Sequence, residues 1–181
     1  MRKSYMQPGS IFFFTATIHK WIPLLADDYC KEIVLSSFKN LSERGLLEVY
    51  AFVIMPNHVH VIWKTTGLNG KETVQGSFLK YTAHAFRKHL TSQLPEKLEQ
   101  FRVNASNKQF EFWKRDSLAI HLYSPEVAYQ KLEYIHRNPL ASHWNLATSP
   151  EHYKWSSASY YHSEETEFLF LKNIRTALHG I

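Results

Sequence analysis

Two histidines separated by one residue, His58-Val59-His60, are the part of this 181-residue chain whose types and spacing best suit chemistry. In a strand, residues two apart point to the same face, so the imidazoles project side by side while Val59 faces the other way. Two imidazoles can share one ion. The ring suits transition metals, and Mg²⁺ or Mn²⁺ is held the same way when an oxygen ligand and a substrate phosphate complete the shell. The spacing alone equally describes two half-exposed strand histidines that bind nothing. A zinc hydrolase built on the pair needs a further Cys, His or carboxylate ligand beside it, and the sequence offers no motif for one.

The elements that must position the pair are legible around it. Residues 46–55 and 58–64 are β-rich runs separated by Pro56-Asn57, turn chemistry that predicts an antiparallel hairpin; Asn57 is read as a turn residue in preference to one that orients a histidine. Residues 11–18, bounded by Pro8-Gly9-Ser10 and Pro23, predict a first strand. Tyr29, Ile33, Val34, Phe38 and Leu41 recur at helical spacing over 27–44, with Asp27 or Asp28 as N-cap and Gly45 as terminator. A second helix spans 73–90 through Val74, Phe78, Tyr81, Ala85 and Phe86. Residues 91–108 are polar and weakly periodic, which predicts a loop or irregular excursion, and 110–123 predicts one or two short strands around Lys114-Arg115-Asp116. Ser124 as N-cap and Pro125 at the first helical position open a last helix that Pro139 stops after Asn138. This order predicts an α+β fold, a ferredoxin-like antiparallel sheet covered by helices.

Length and composition set the outer bounds. The chain suits one globular unit with a real core, organised as a domain over 1–161 and a tail over 162–181 whose apolar group, 168–171, docks on that domain or on a partner. Lys and Arg exceed Asp and Glu by 21 to 16, a formal +5 that favours a polyanionic partner. The lone Cys30 excludes an intrachain disulfide and reads as a buried small side chain. An early Arg2-Lys3 precedes an apolar run, 11–14, too short for a signal-peptide core, and no stretch approaches transmembrane length. The expectation is a reduced, cytoplasmic protein with no membrane partner.

Three blocks follow one another in order: 50–63, which carries Met55-Pro56-Asn57 into His58-Val59-His60-Val61-Ile62-Trp63; Tyr134-Ile135-His136-Arg137-Asn138-Pro139; and Pro150-Glu151-His152-Tyr153-Lys154-Trp155-Ser156-Ser157-Ala158. Together they resemble the HUH single-tyrosine transposases, and within them the REP-associated tyrosine transposases, from the first strand to about Tyr161. The resemblance implies a ferredoxin-like sheet and cleavage of single-stranded DNA beside an imperfect hairpin, through a tyrosine that becomes linked to the new 5′ phosphate. Residue by residue, it makes Tyr134 the nucleophile, His58 and His60 the metal ligands, and Asn138 the third ligand where the wider family has a glutamine. The implied cofactor is a divalent ion, Mg²⁺ or Mn²⁺, with no nucleotide cofactor. Compact insertion-sequence relatives work as dimers in which one subunit's tyrosine helix completes the other's site, whereas some REP-associated members act as monomers.

Physical chemistry bears on each of these residues. A phenol, with its pKa near ten, is a poor nucleophile at neutral pH and needs a polarised phosphate. Asn138 lies one helical turn after Tyr134, so its amide oxygen can reach an ion that Tyr134 addresses; an Asn before Pro at a helix end is also a natural stop, and both readings stay open. Glu133 and His136 point to other helical faces and are read as surface. Lys80, His84, Arg87 and Lys88 along the second helix, with Lys114 and Arg115, form a candidate DNA surface, each with the alternative of a solvated charge. Trp63, Trp113 and Trp155 are candidates for stacking on bases, with core the preferred reading. The rival to the enzyme is a DNA-binding protein of the same fold that no longer cuts.

Overall fold

The computed structural model describes residues 6–106, 108–164 and 166–178, so Arg2, Lys3 and the end of the 162–181 tail lie outside the described residues. The chain runs β1 (Ile11–Thr17), α1 (Asp28–Glu43), β2 (Leu47–Met55), β3 (His58–Thr65), the small hairpin β4 (Leu68–Asn69) and β5 (Glu72–Thr73), and α2 (Val74–Gln93). Then come α3 (Pro95–Glu99), β6 (Arg102–Ala105), β7 (Lys108–Phe110), β8 (Leu118–His121), α4 (Pro125–Arg137), α5 (Ala158–Ser163) and α6 (Ile174–Leu178). The main sheet is antiparallel, in the order β2-β3-β1-β8, with α1 and α2 as its crossovers: the ferredoxin-like arrangement that the element order predicted.

Local chemistry explains the boundaries. Asp27 caps α1 by accepting from the Tyr29 amide at 2.9 Å, and Gly45, at φ 68°, supplies the left-handed residue that ends it. Thr73 caps α2 through the Gly76 amide at 3.0 Å. The Pro56-Asn57 turn places Met55 opposite His58, which fixes the hairpin register and with it the face that both histidines occupy.

The sheet divides the molecule. On one face Trp63 stacks on Phe14 at 4.7 Å between ring centroids and meets Phe38 of α1 and Phe78 of α2 edge-on; all four rings are fully buried. On the opposite face lies α4, whose Tyr134 approaches Phe13 and His60. Trp113 and Trp155 are buried as well, Trp113 donating its indole N–H to Thr82, so none of Trp63, Trp113 and Trp155 is free to stack on a base.

The expectation of an irregular 91–108 is corrected: Pro95 at a helix N-terminus starts α3, and Leu98 and Phe101 are buried there, Phe101 stacking on Phe112 at 4.9 Å. Two apolar anchors in a polar stretch are too few to register as periodicity. Between β7 and β8, Lys114-Arg115-Asp116 forms a bend, with Asp116 at φ 65°. The exposed edge of β2 is covered twice, by 155–157 (the Ile54 amide donates to the Trp155 carbonyl, the Ser157 amide to that of Phe52) and by 171–172 (the Lys172 amide donates to the Val49 carbonyl). Covering that edge removes a template for pairing with other chains.

Candidate active site

The hairpin and α4 bring His58, His60, Tyr134 and Asn138 to one cleft of about 610 Å³ within a single chain. Ser124 and Pro125 start α4, the Ser124 hydroxyl accepting from the Val127 amide. From that start the 3.6-residue period sets Gln130, Tyr134 and Asn138 on the cleft side while Ile135 and Ala128 enter the core.

The histidine rings lie 4.6 Å apart, centroid to centroid, and each has its Nδ1 engaged. Asn57 Nδ2 donates to the Trp21 carbonyl at 3.3 Å, which turns Asn57 Oδ1 toward His58, 2.7 Å from its Nδ1. The oxygen can only accept, so His58 carries its proton on Nδ1 and keeps the Nε2 lone pair for the cleft. His60 Nδ1 lies 2.8 Å from the Thr15 hydroxyl, its register partner on β1, an oxygen able to accept from that nitrogen. Asn57 therefore orients His58 as well as forming the turn, where the sequence had favoured the turn over the orienting role. Thr15 has no neighbour in sequence to signal its role; only the β1–β3 register creates it.

Burial holds both rings neutral. It pushes His58 down to about 4, with Asn138 pulling the other way and His143 adding to the fall. It pushes His60 to about 3, helped by the charges of His58 and Lys131. Both imidazoles thus keep ligand lone pairs at neutral pH.

Asn138 ends α4 through its backbone, the amide donating to the Ile135 carbonyl, so its side chain is not spent on capping. Its Oδ1 lies near enough to His58 to favour a protonated ring, yet it has no hydrogen-bond partner among the described residues although it is buried. A buried acceptor without a donor costs about 1–3 kcal/mol, and a cation beside the two imidazoles would relieve that cost. The donor set of two imidazoles and one amide oxygen fits a divalent metal with open positions for phosphate oxygens.

Tyr134 is half exposed, its ring 5.3 Å from His60 and 6.0 Å from Phe13, both edge-on. Lys131, one turn earlier, holds its ammonium over the rings of Phe13 and Tyr134, at 5.2 and 5.6 Å. Glu133 lines the cleft, with Arg137 3.6 Å away. His136 is not surface: it is buried against Ser157, 3.0 Å from the hydroxyl, and burial lowers it to about 4.

The predicted DNA contacts divide. Lys114 reaches the cleft rim, its ammonium 5.6 Å from the Trp21 ring. Arg115 pairs with Glu111 at 3.1 Å. Lys80, Arg87 and Lys88 lie on α2, across the sheet from Tyr134, with Lys80 paired to Glu72 and Arg87 over Phe110. The sequence reading missed Trp21, Gln130 and Trp144, which also line the cleft. Trp21 and Lys20 are consecutive left-handed residues, at φ 59° and 54°, a strain of about 1–3 kcal/mol each.

Two other features bear on where chemistry sits. Asp27, Cys30 and His89 bring ligand atoms within 4.8 Å of one another between α1 and α2. Asp27 already accepts from Tyr29 and lies 2.9 Å from His89, and burial pushes the Cys30 thiol up to about 12, so the group is accounted for as a hydrogen-bonded cap. A larger cavity of about 700 Å³ between α1 and 167–172 is lined by paired charges, Lys39 3.8 Å from Glu43 and Lys172 2.7 Å from Glu48, and by no histidine or tyrosine among the described residues.

Fold and cleft together define an α+β protein with a strand-borne histidine pair facing a helix-borne tyrosine. No family model matches the chain. It is 24% identical over 133 residues to a Haemophilus influenzae protein described as a REP-associated tyrosine transposase, covering 73% of this chain and 71% of that one. Its fold matches a solved REP-associated tyrosine transposase bound to a REP hairpin, with a TM-score of 0.62, 15% identity, and 96% and 92% of the two chains covered. Sequence and fold converge on one group, and the resemblance read from the motifs to the HUH single-tyrosine transposases, on the REP-associated side, is borne out. Among the described residues, no helix is long and apolar enough to cross a membrane.

Proposed function

We propose that this protein binds hairpin-containing single-stranded DNA and cuts and rejoins it as a transposase or REP-processing nuclease, with residues 1–161 as the catalytic unit. The observation that carries the reading is the meeting of Tyr134 with His60, 5.3 Å between rings, inside one chain and over a cleft open to solvent. The Tyr134 oxygen attacks the scissile phosphorus, the bond to the 3′ oxygen breaks, and that oxygen leaves with a proton while the phenol gives one up. The product is a 5′-phosphotyrosine that keeps the phosphodiester energy, so a 3′ hydroxyl can reverse the step without a nucleotide cofactor.

His58, His60 and Asn138 are the residues that would hold Mg²⁺ or Mn²⁺. A divalent cation held there would polarise the phosphate and offset charge on its oxygens. Asn57 and Thr15 fix the two rings, and Lys131 holds its ammonium 5.6 Å from the centre of the Tyr134 ring, a cation beside the phosphate that the tyrosine attacks. Lys114 supplies a phosphate contact at the rim, and Arg115, with Lys80, Arg87 and Lys88 on α2, extends the basic surface available to a hairpin. A closed site in one chain is compatible with a working monomer.

Incubation with a labelled hairpin carrying an unpaired flank and Mn²⁺ tests the proposal. The expected result is a denaturant-stable protein–DNA adduct that Tyr134→Phe abolishes while hairpin binding persists. Hairpin binding without any wild-type adduct would instead identify a DNA-binding protein that has lost cleavage.

A further inference from the structure

Burial does not place Trp21: the residue is 56% exposed and its backbone, like that of Lys20, is left-handed. Its backbone is tied on two sides, the amide donating to the Ile18 carbonyl at 3.0 Å and the carbonyl accepting from Asn57, the same side chain that orients His58. Trp144 reaches the cleft from the other direction in sequence, after α4, with its ring 5.9 Å from that of His58 and partly exposed. Both tryptophans therefore border the His58 end of the cleft, whereas Tyr134, Phe13 and Lys131 gather at the His60 end. Above Trp21 stands Lys114, a cation for the backbone phosphate of any base stacked there.

We propose that Trp21 and Trp144 form a stacking site for an unpaired nucleobase at the His58 end of the cleft, receiving the nucleotide on the leaving, 3′-hydroxyl side of the cut. The side follows from in-line displacement: the leaving oxygen departs opposite the attacking one, and Tyr134 occupies the His60 end. Aromatic faces accept any base, so the site grips the unpaired strand without reading its sequence. Asn57 joins this grip to the metal site, since one amide sets both the Trp21 backbone and the His58 ring. The inference rests on the single-strand cleavage reading.

The test uses Tyr134→Phe protein, Mn²⁺ and a hairpin with an unpaired flank carrying 2-aminopurine just 5′ of the cut mapped with the wild type. Binding is expected to quench the probe. Adding Trp21→Ala should remove most of the quenching and weaken binding of the flanked hairpin about 5- to 150-fold, with Trp144→Ala acting in the same direction and Trp21→Phe restoring both. A hairpin without the flank should bind all variants equally, which separates stacking from misfolding. If wild type forms an adduct but Trp21→Ala and Trp144→Ala quench and bind like their parent, the stacking site is wrong and the cleavage reading stands. If wild type forms no adduct, both fall.

Discussion

On one side of β3, Trp63 meets Phe14, Phe38 and Phe78 with no solvent and no unmet polar group, its indole N–H reaching Met6. Three residues earlier on the same strand, His60 and its neighbour His58 face α4 beside an amide oxygen without a donor, an exposed tyrosine and a strained turn. One face of the strand is built to hold the molecule together, and the other is held in a costly arrangement by it. Buried aromatics gain from every contact they make, whereas a buried acceptor without a donor gains only when something binds it.

The largest effect that sharpens this contrast is Trp63→Ala. It should lower unfolding free energy by about 3–5 kcal/mol in denaturant titrations, since it empties the contact point of three rings. A loss below about 1 kcal/mol would mean that the aromatic face is not the stabilising one.

Asn138→Leu should act in the opposite sense. Without metal it should be at least as stable as wild type, gaining up to about 1–3 kcal/mol by removing an unmet acceptor. Excess Mn²⁺ should raise the melting temperature of wild type more than that of the variant. A metal-free variant that unfolds more easily would show that Asn138 serves the fold and not the cleft.

Asn57→Ala leaves the histidines in place and frees their orientation. Mn²⁺ affinity by calorimetry should fall about 10- to 100-fold, the usual consequence of losing a group that orients a ligand. Unchanged affinity would return Asn57 to a turn residue alone.

The smallest effect lies far from both faces. Burial tends to raise Glu48, but hydrogen bonds from Lys172, Lys64 and Tyr50 outweigh it and bring the carboxyl from 4.5 down to about 2. A depressed carboxylate contributes stability above its unfolded pKa and loses it as pH falls through the folded one. Glu48→Gln should therefore cost no more than about 1 kcal/mol at neutral pH, and the difference from wild type should shrink between about pH 4.5 and 2. A difference that grows on acidification would contradict the ion-pair account.

Much of the site was legible because local rules wrote it. Proline and asparagine in a two-residue turn fix the hairpin register, register fixes the histidine face, and Ser124-Pro125 with Pro139 bounds the helix on which Tyr134 and Asn138 share a side. Those are short-range constraints, carried by residues adjacent in the chain or one helical turn apart. Residues 91–108 were misread because Leu98 and Phe101 act through distant partners, and His136 because Ser157 buries it from twenty-one residues away. Tertiary structure alone decided that Thr15 meets His60 across strands, that one Asn57 side chain serves both Trp21 and His58, and that the tyrosine closes on its own chain's histidines. These pairings depend on how α4 folds back over the sheet, an arrangement set by the whole core and written in no single stretch of sequence.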